Sequence, residues 1–255
     1  MRKLKWVAKL LLFCLAFYGA KQFCEKETDG FTLTQLARPL PELSVLPGAP
    51  RDVLNQTFYY LGRGGQAFAF VSEDGCHVIK FFKHQRKSAK RERDFTSYRI
   101  AGEELKEESG LEYVHCYRTV DLKKQLTIVD KLGIAHAIDL DNQAFVLQKK
   151  ADLFYPYLEQ LLNTGQWEAA KEALLSVVAL IGARCEKGIF DEDAKLHRNV
   201  GFVENRAVFI DVGRFRKSTV DKKQEVMKVV EPLQAWLKNK DAALECYLQE
   251  RLNEI

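Results

Sequence analysis

Residues 61–80 read LGRGGQAFAFVSEDGCHVIK, and the fold turns on what their glycines are for. A glycine-rich turn between two strand-like runs fits a β-hairpin, where glycine adopts conformations that other residues avoid. It equally fits an anion grip, because a missing Cβ lets backbone amides approach phosphate oxygens. The flanking residues predict strands in both cases. QTFYYL (56–61), QAFAFV (66–71) and CHVIKFF (76–82) are short aromatic or β-branched runs. Turn-forming GRGG and SEDG punctuate them, so the pattern predicts a three-stranded antiparallel meander.

Working outward, residues 83–110 are strongly charged but carry Phe95, Tyr98, Ile100, Ala101 and Leu105, one apolar stripe on a polar helix. The basic run Lys83, Arg86, Lys87, Lys90, Arg91 and Arg93 reads as a solvated helix face, with contact to acidic lipid headgroups as the alternative. Further strands are expected near 126–138 and 143–149, joined by DLDN with a hairpin turn at Asp141 and Asn142. Beyond Lys150 the chain turns helical: residues 153–165 and 166–188 each end in glycine, the usual helix terminator. A polar loop, a short hairpin and an apolar strand into Asp211 follow, then helices around 226–238 and 242–252.

Before the meander, RPLPELSVLPGAP (38–50) holds four of the six prolines and reads as a linker or irregular wrap, so the compact domain is expected to start near residue 51. At the N-terminus MRKLKWVAK is basic and LLLFCLAFYGA apolar, with only 11 residues, 10–20, free of charge. A full membrane span needs about 20 apolar residues. Residues 1–26 therefore read as an export signal or a short snorkelling membrane anchor, with a buried helix as the alternative. Tyr18 is bulky where a cleavage site wants a small residue. An inserted anchor would keep its basic end cytoplasmic.

The formal charge of +4 comes from this segment, which holds six Lys or Arg against one acid; the rest carries 33 basic and 34 acidic residues. A near-neutral domain excludes a whole-domain nucleic-acid footprint. The six cysteines form no CxxC pair and no Cys/His cluster at metal-ligand spacing, which argues against structural zinc and favours reduced thiols.

The order of these parts resembles the protein-kinase-like superfamily, which includes small-molecule kinases such as those for aminoglycosides and lipopolysaccharide sugars. The likeness spans roughly residues 56–215. Leu61, Gly62 and Gly64 match the start of the family's LGxGxxG nucleotide loop; the third glycine falls on Ala67, and an extra Gly65 stands nearby. CHVIK is similar to the family's V-A-I-K, which implies that Lys80 contacts the nucleotide's α- and β-phosphates. Glu92 in KRERDF is the preferred partner of Lys80, with Glu103 and Glu104 as alternatives; an outward lysine at a strand edge is the plain reading of the same residue.

Laying GIFDED (188–193) on the family's His-Arg-Asp puts Asp193 at the catalytic aspartate, with Asp191 and Glu192 in place of His and Arg. The resemblance then implies that Asp193 accepts the acceptor's hydroxyl proton, and that Asn199 and Asp211 of Asp-Val-Gly hold Mg²⁺ against ATP. An acid-rich loop that merely caps turns is the plain alternative. The Asp193 to Asn199 gap is one residue longer than the family's, and neither Ala-Pro-Glu nor a long activation segment follows. What is implied is a minimal α+β, two-lobed kinase-like fold: segment 1–26, linker 27–50, β-rich nucleotide-binding N-lobe 51–150 and helical C-lobe 151–255, with Lys80 meeting Asp193, Asn199 and Asp211. The implied activity is ATP-dependent phosphoryl transfer to a hydroxyl acceptor (sugar, lipid-linked sugar or protein) by a membrane-associated or exported protein. A catalytically inactive pseudokinase that binds nucleotide or protein is the rival, and an unrelated α+β domain is the third reading.

Overall fold

The structure, a computed structural model, describes residues 2–43, 48–84, 88–118, 122 and 124–254. Its architecture is mixed α+β. Contacts divide it into two compact units, Met1–His84 with Tyr117–Phe145, and Gln85–Cys116 with Val146–Ile255. The chain passes through each unit twice.

The first unit begins with helix α1 (Arg2–Thr28). It stops where Asp29 and Gly30 take left-handed φ of 50° and 70°, and the Gly30 N–H reaches back to the Glu25 carbonyl at 3.0 Å. Immediately afterwards Phe31, Leu36, Ala37 and Leu40 are buried, so the compact unit starts well before residue 51. The expected linker is part of it. Strand β1 (Leu40–Leu43) pairs in parallel with Tyr117–Arg118, and residues 44–47 of the proline-rich stretch lie outside the described residues. A short helix α2 (Arg51–Leu54) leads into the meander β2 (Phe58–Arg63), β3 (Ala67–Ser72) and β4 (His77–Phe82), antiparallel as the sequence predicts.

The chain then enters the second unit. The helix expected over 83–110 is α3 (Ser88–Glu104) plus one turn, α4 (Lys106–Ser109), while Arg86 and Lys87 of the basic run lie outside the described residues. The apolar stripe works as expected at Phe95, Tyr98, Ala101 and Leu105, all buried. Strand β5 (Leu111–His115) went unread in the sequence because it is short and buries a polar residue, His115, where the alternation calls for an apolar one.

Back in the first unit come β6 (Tyr117–Arg118), β7 (Gln125–Val129) and β8 (Ala135–Asp139). Residues 126–138 thus form a hairpin, not one strand. Its turn is built by Asp130, whose Oδ1 accepts from the Leu132 and Ile134 N–H groups at 2.9 and 3.0 Å. Asp141 and Asn142, expected to make a hairpin turn, sit in a 3-10 turn capped by Asp139. Within this unit the strands run β4-β3-β2-β7-β8.

Strand β9 (Phe145–Lys149) carries the chain into the second unit for good. There β10 (Asp152–Leu153) precedes α5 (Phe154–Asn163) and α6 (Trp167–Glu186), the two helices expected from their terminal glycines, and Gly165 and Gly188 take left-handed φ of 68° and 64° after them. Strand β11 (Ile189–Asp191), the short helix α7 (Leu196–Asn199), the hairpin β12 (Val200–Val203) and β13 (Arg206–Phe209), and β14 (Phe215–Lys217) then build the acid-rich segment. Helices α8 (Lys222–Lys240) and α9 (Ala242–Asn253) close the chain, each capped by an aspartate side chain, Asp221 and Asp241.

Candidate functional site

In the first unit, register decides which face each residue takes. Gly62 pairs with Ala69, and Ala69 with Lys80, so the three stand in one row across β2, β3 and β4. Two strand spacings separate the ends of that row by about 10 Å. A bulge at Leu61 makes this row possible: Tyr60 pairs with Phe70 and the next pair is Gly62 with Ala69. One extra residue re-phases the strand and moves Gly62 to the face carrying Lys80. The neighbouring pairs Arg63 with Phe68 and Phe68 with Phe81 alternate to the opposite face, where Phe31, Phe68, Phe70 and Phe81 pack edge to face.

The glycines at 62, 64 and 65 have no left-handed φ. A Cβ would meet nothing within 4 Å at Gly62 and Gly65, and only the Ala67 carbonyl, at 3.8 Å, at Gly64. Neither hairpin geometry nor crowding within the protein therefore demands glycine here. What the residues do supply is bare backbone beside Ala67 and Ala69, with half-buried Lys80 on the same row.

In the second unit, residues 191–215 form a clasp. Asp191 ends β11, 3% exposed, and its Oδ1 accepts the Asp193 N–H at 2.9 Å. That bond turns the chain so that the Asp193 side chain, half-buried, lies beside Lys195, whose Nζ is 2.6 Å from Oδ1. The buried Asn199 donates its amide N–H to the Asp193 carbonyl. Its own carbonyl accepts the Ile210 N–H at 2.8 Å, which extends the β12-β13 ladder by one rung and makes Asp211 the next residue after that pair. The exposed Asp211 Oδ1 accepts from the Gly213 N–H at 3.1 Å, and the Tyr98 hydroxyl of α3 stands 3.5 Å away. Ser97, one residue earlier on α3, donates to the Val212 carbonyl and accepts the Phe215 N–H at 2.6 Å. Helix α3 thereby holds the Asp-Val-Gly turn from one side.

Beneath the clasp lies a buried charge network. Arg184 of α6 is 1% exposed; its Nη2 donates to Glu225 Oε1 at 2.7 Å and its Nη1 lies 3.7 Å from Asp191 Oδ2. The second approach is electrostatic only, since Arg184 Nε and Nη1 make no hydrogen bond. The rings of Phe209 and Phe215 lie 5.8 Å from its guanidinium. Burial pushes the Asp191 carboxyl up to about 6, with Asp193 and Asp211 adding to the rise and the Asp193 N–H and Arg184 opposing it. Burial, and then the charge of Asp211, also raise the Tyr98 hydroxyl.

Of the motif residues Asp193, Asn199 and Asp211, the structure joins Asn199 to the Asp193 backbone and ties Asp211 to Gly213 and Tyr98. Lys80 with Gly62, Gly64 and Gly65 belongs to the first unit, and Glu92, exposed on α3, to the second. The sequence reading missed Arg184, Glu225, Tyr98 and Lys195. Only Arg184 left a signal: a lone charge inside the apolar run LLSVVALIGARC.

Among the described residues no group of three or more His, Cys, Asp or Glu is placed to hold a metal. Magnesium is commonly held by one or two protein oxygens, the remainder coming from water and phosphate. Asn199 fits that mode, since its amide nitrogen faces the Asp193 carbonyl and its amide oxygen points away; Asp211 supplies a carboxylate nearby along the ladder.

No protein-family model and no curated protein matches the chain. Among solved structures it is similar to the bifunctional kinase-methyltransferase WbdD, at 16% identity and a TM-score of 0.37, over 74% of this chain and 43% of that one. The chain thus spans less than half of that protein's length, and a likeness at this TM-score carries no argument about function.

Proposed function

We propose that the chain is a kinase-like phosphotransferase that moves the γ-phosphoryl group of ATP to a hydroxyl acceptor. The observation that carries the reading is the clasp of residues 191–215: an acceptor-side carboxylate, a metal-suited amide oxygen and a metal-suited carboxylate, all fixed by backbone hydrogen bonds. The Gly62, Ala69 and Lys80 row supports it, because glycines that the fold does not require stand on the face of a lysine.

In this reading the bare backbone at 62–65 and the Lys80 ammonium take the phosphates, and Glu92 steadies the lysine. Asn199 and Asp211 hold Mg²⁺, which neutralises phosphate charge when bound. Asp193 takes the proton of the acceptor hydroxyl as that oxygen bonds to phosphorus and ADP leaves. Lys195, 2.6 Å from Asp193, orients the carboxylate and adds positive charge where the transferred group passes. The acceptor is a sugar, a lipid-linked sugar or a protein.

We further propose that α1 brings the protein to a membrane surface. Leu12, Phe13, Leu15 and Phe17 are 68–72% exposed, so the apolar stretch is uncovered by the rest of the chain. No helix among the described residues is long and apolar enough to cross a membrane. The 11 charge-free residues span about 16 Å, half of a hydrocarbon core, and are apolar on every side of the helix, which suits a short anchor whose flanking lysines snorkel to the headgroups.

ATP turnover by the full chain with Mg²⁺, in wild type and Asp193→Ala, tests the proposal. Turnover lost in the variant is the expected result. ATP binding without turnover supports the pseudokinase, and no response to nucleotide contradicts both.

A further inference from the structure

The face of the first unit opposite the Lys80 row has a chemistry of its own. Between the end of α1 and the strands opens a cleft of about 1010 Å³, whose lining includes Lys21, Lys26, Arg63 and Lys83, with Phe31 and Phe68 among its apolar walls. Arg63 donates from Nη1 to the Asp29 carbonyl at 2.7 Å. Lys83 donates to the Gly64 carbonyl at 2.6 Å and sits 4.3 Å over the Phe68 ring.

The two acids lining the cleft are engaged elsewhere. Asp29 Oδ2 accepts from the Tyr60 hydroxyl at 2.9 Å, its Oδ1 from Lys131 at 3.2 Å, and Glu25 pairs with Lys21 at 3.6 Å. Among the described residues, Arg63 and Lys83 face one cleft with hydrogen bonds to carbonyls and, for Lys83, a ring contact, while the Asp29 carboxylate acts on both through its charge and not through a hydrogen bond. Burial lowers the Lys83 pKa and the charge of Arg63 lowers it further, with the charge of Asp29 opposing in part. An anion between two like charges relieves both effects.

We propose that this cleft binds a phosphate group, supplied by the headgroup of an acidic phospholipid. The lipid source follows from α1, which walls the cleft. At 1.5 Å per residue Lys21 and Lys26 lie about 1.5 and 9 Å along the helix from the end of its charge-free stretch at Ala20, so cations of the cleft follow directly on the segment read as membrane-bound. This inference rests on the membrane reading of α1 and is independent of phosphoryl transfer.

The test is flotation of the full chain with vesicles of phosphatidylcholine alone or with 30% phosphatidylglycerol (mol/mol, roughly plasma-membrane-like charge). Partition onto the acidic vesicles is expected to exceed that onto neutral ones roughly tenfold. Arg63→Gln and Lys83→Gln are expected to remove most of the excess while keeping neutral binding, with melting curves confirming that both fold. Glycerol 3-phosphate at constant ionic strength is expected to release the wild type from acidic vesicles, a readout that needs no variant. An excess that survives both substitutions and the competitor overturns the site. Failure to bind either vesicle overturns the membrane reading beneath it. Stabilisation by inorganic phosphate that both variants lose, without any vesicle preference, keeps the phosphate chemistry and overturns the lipid source.

Discussion

The two units prepare their functional groups by different physics. In the first, strand register alone aligns Gly62, Ala69 and Lys80, and one bulge at Leu61 selects the face. In the second, a buried arginine between two buried acids supports the clasp that carries Asp193, Asn199 and Asp211. Register is robust to a change of one side chain, because the ladder belongs to the backbone. A buried ion network is not: removing one member leaves the others charged and unsolvated. Function and stability should thus separate in the first unit and entangle in the second, except at its exposed acids.

The largest effect expected is on turnover. Asp193→Ala and Asp211→Asn should each lower ATP turnover by about 10²–10⁴, with melting temperatures close to wild type because neither carboxylate is buried. A large fall in melting temperature in either would break the contrast. Next comes Arg184→Met, which strands Asp191 and Glu225 and should cost about 3–5 kcal/mol in urea unfolding. Lys80→Met should cost well under that in the same assay while weakening ATP binding.

A smaller effect concerns pH. The folded-state carboxyl of Asp191, near 6, lies above its ordinary value of 3.8. The folded protein then holds this proton more tightly than the unfolded chain. Its contribution is fully present below about pH 4 and is lost as pH rises through 6, a change on the order of 3 kcal/mol. Asp191→Asn should flatten the stability profile between pH 4 and 6; an unchanged slope would assign it to other groups. The smallest effect is at Tyr98→Phe, where loss of a 3.5 Å contact to Asp211 should change turnover less than about fivefold.

The sequence made the meander legible through turn residues between short aromatic runs, α5 and α6 through their terminal glycines, and α3, α8 and α9 through their apolar faces. Strand β5 escaped because it is only five residues long and ends in a polar residue that is buried, His115, and the early start of the first unit escaped because proline masked the buried Leu36, Ala37 and Leu40. At the site, residue types were readable but support was not. The pairing of Arg184 with Glu225, 41 positions apart, and of Ser97 with Val212, 115 apart, depends on how α6, α8 and α3 pack. No local motif encodes that.

The proposal depends most on nucleotide binding needing both Lys80 and Asp211. Calorimetric titration of Mg-ATP into wild type, Lys80→Ala, Asp211→Asn and the double variant tests it directly. The account predicts measurable binding in the wild type and strongly non-additive losses in the cycle. No binding in the wild type, or losses that simply add, would contradict it.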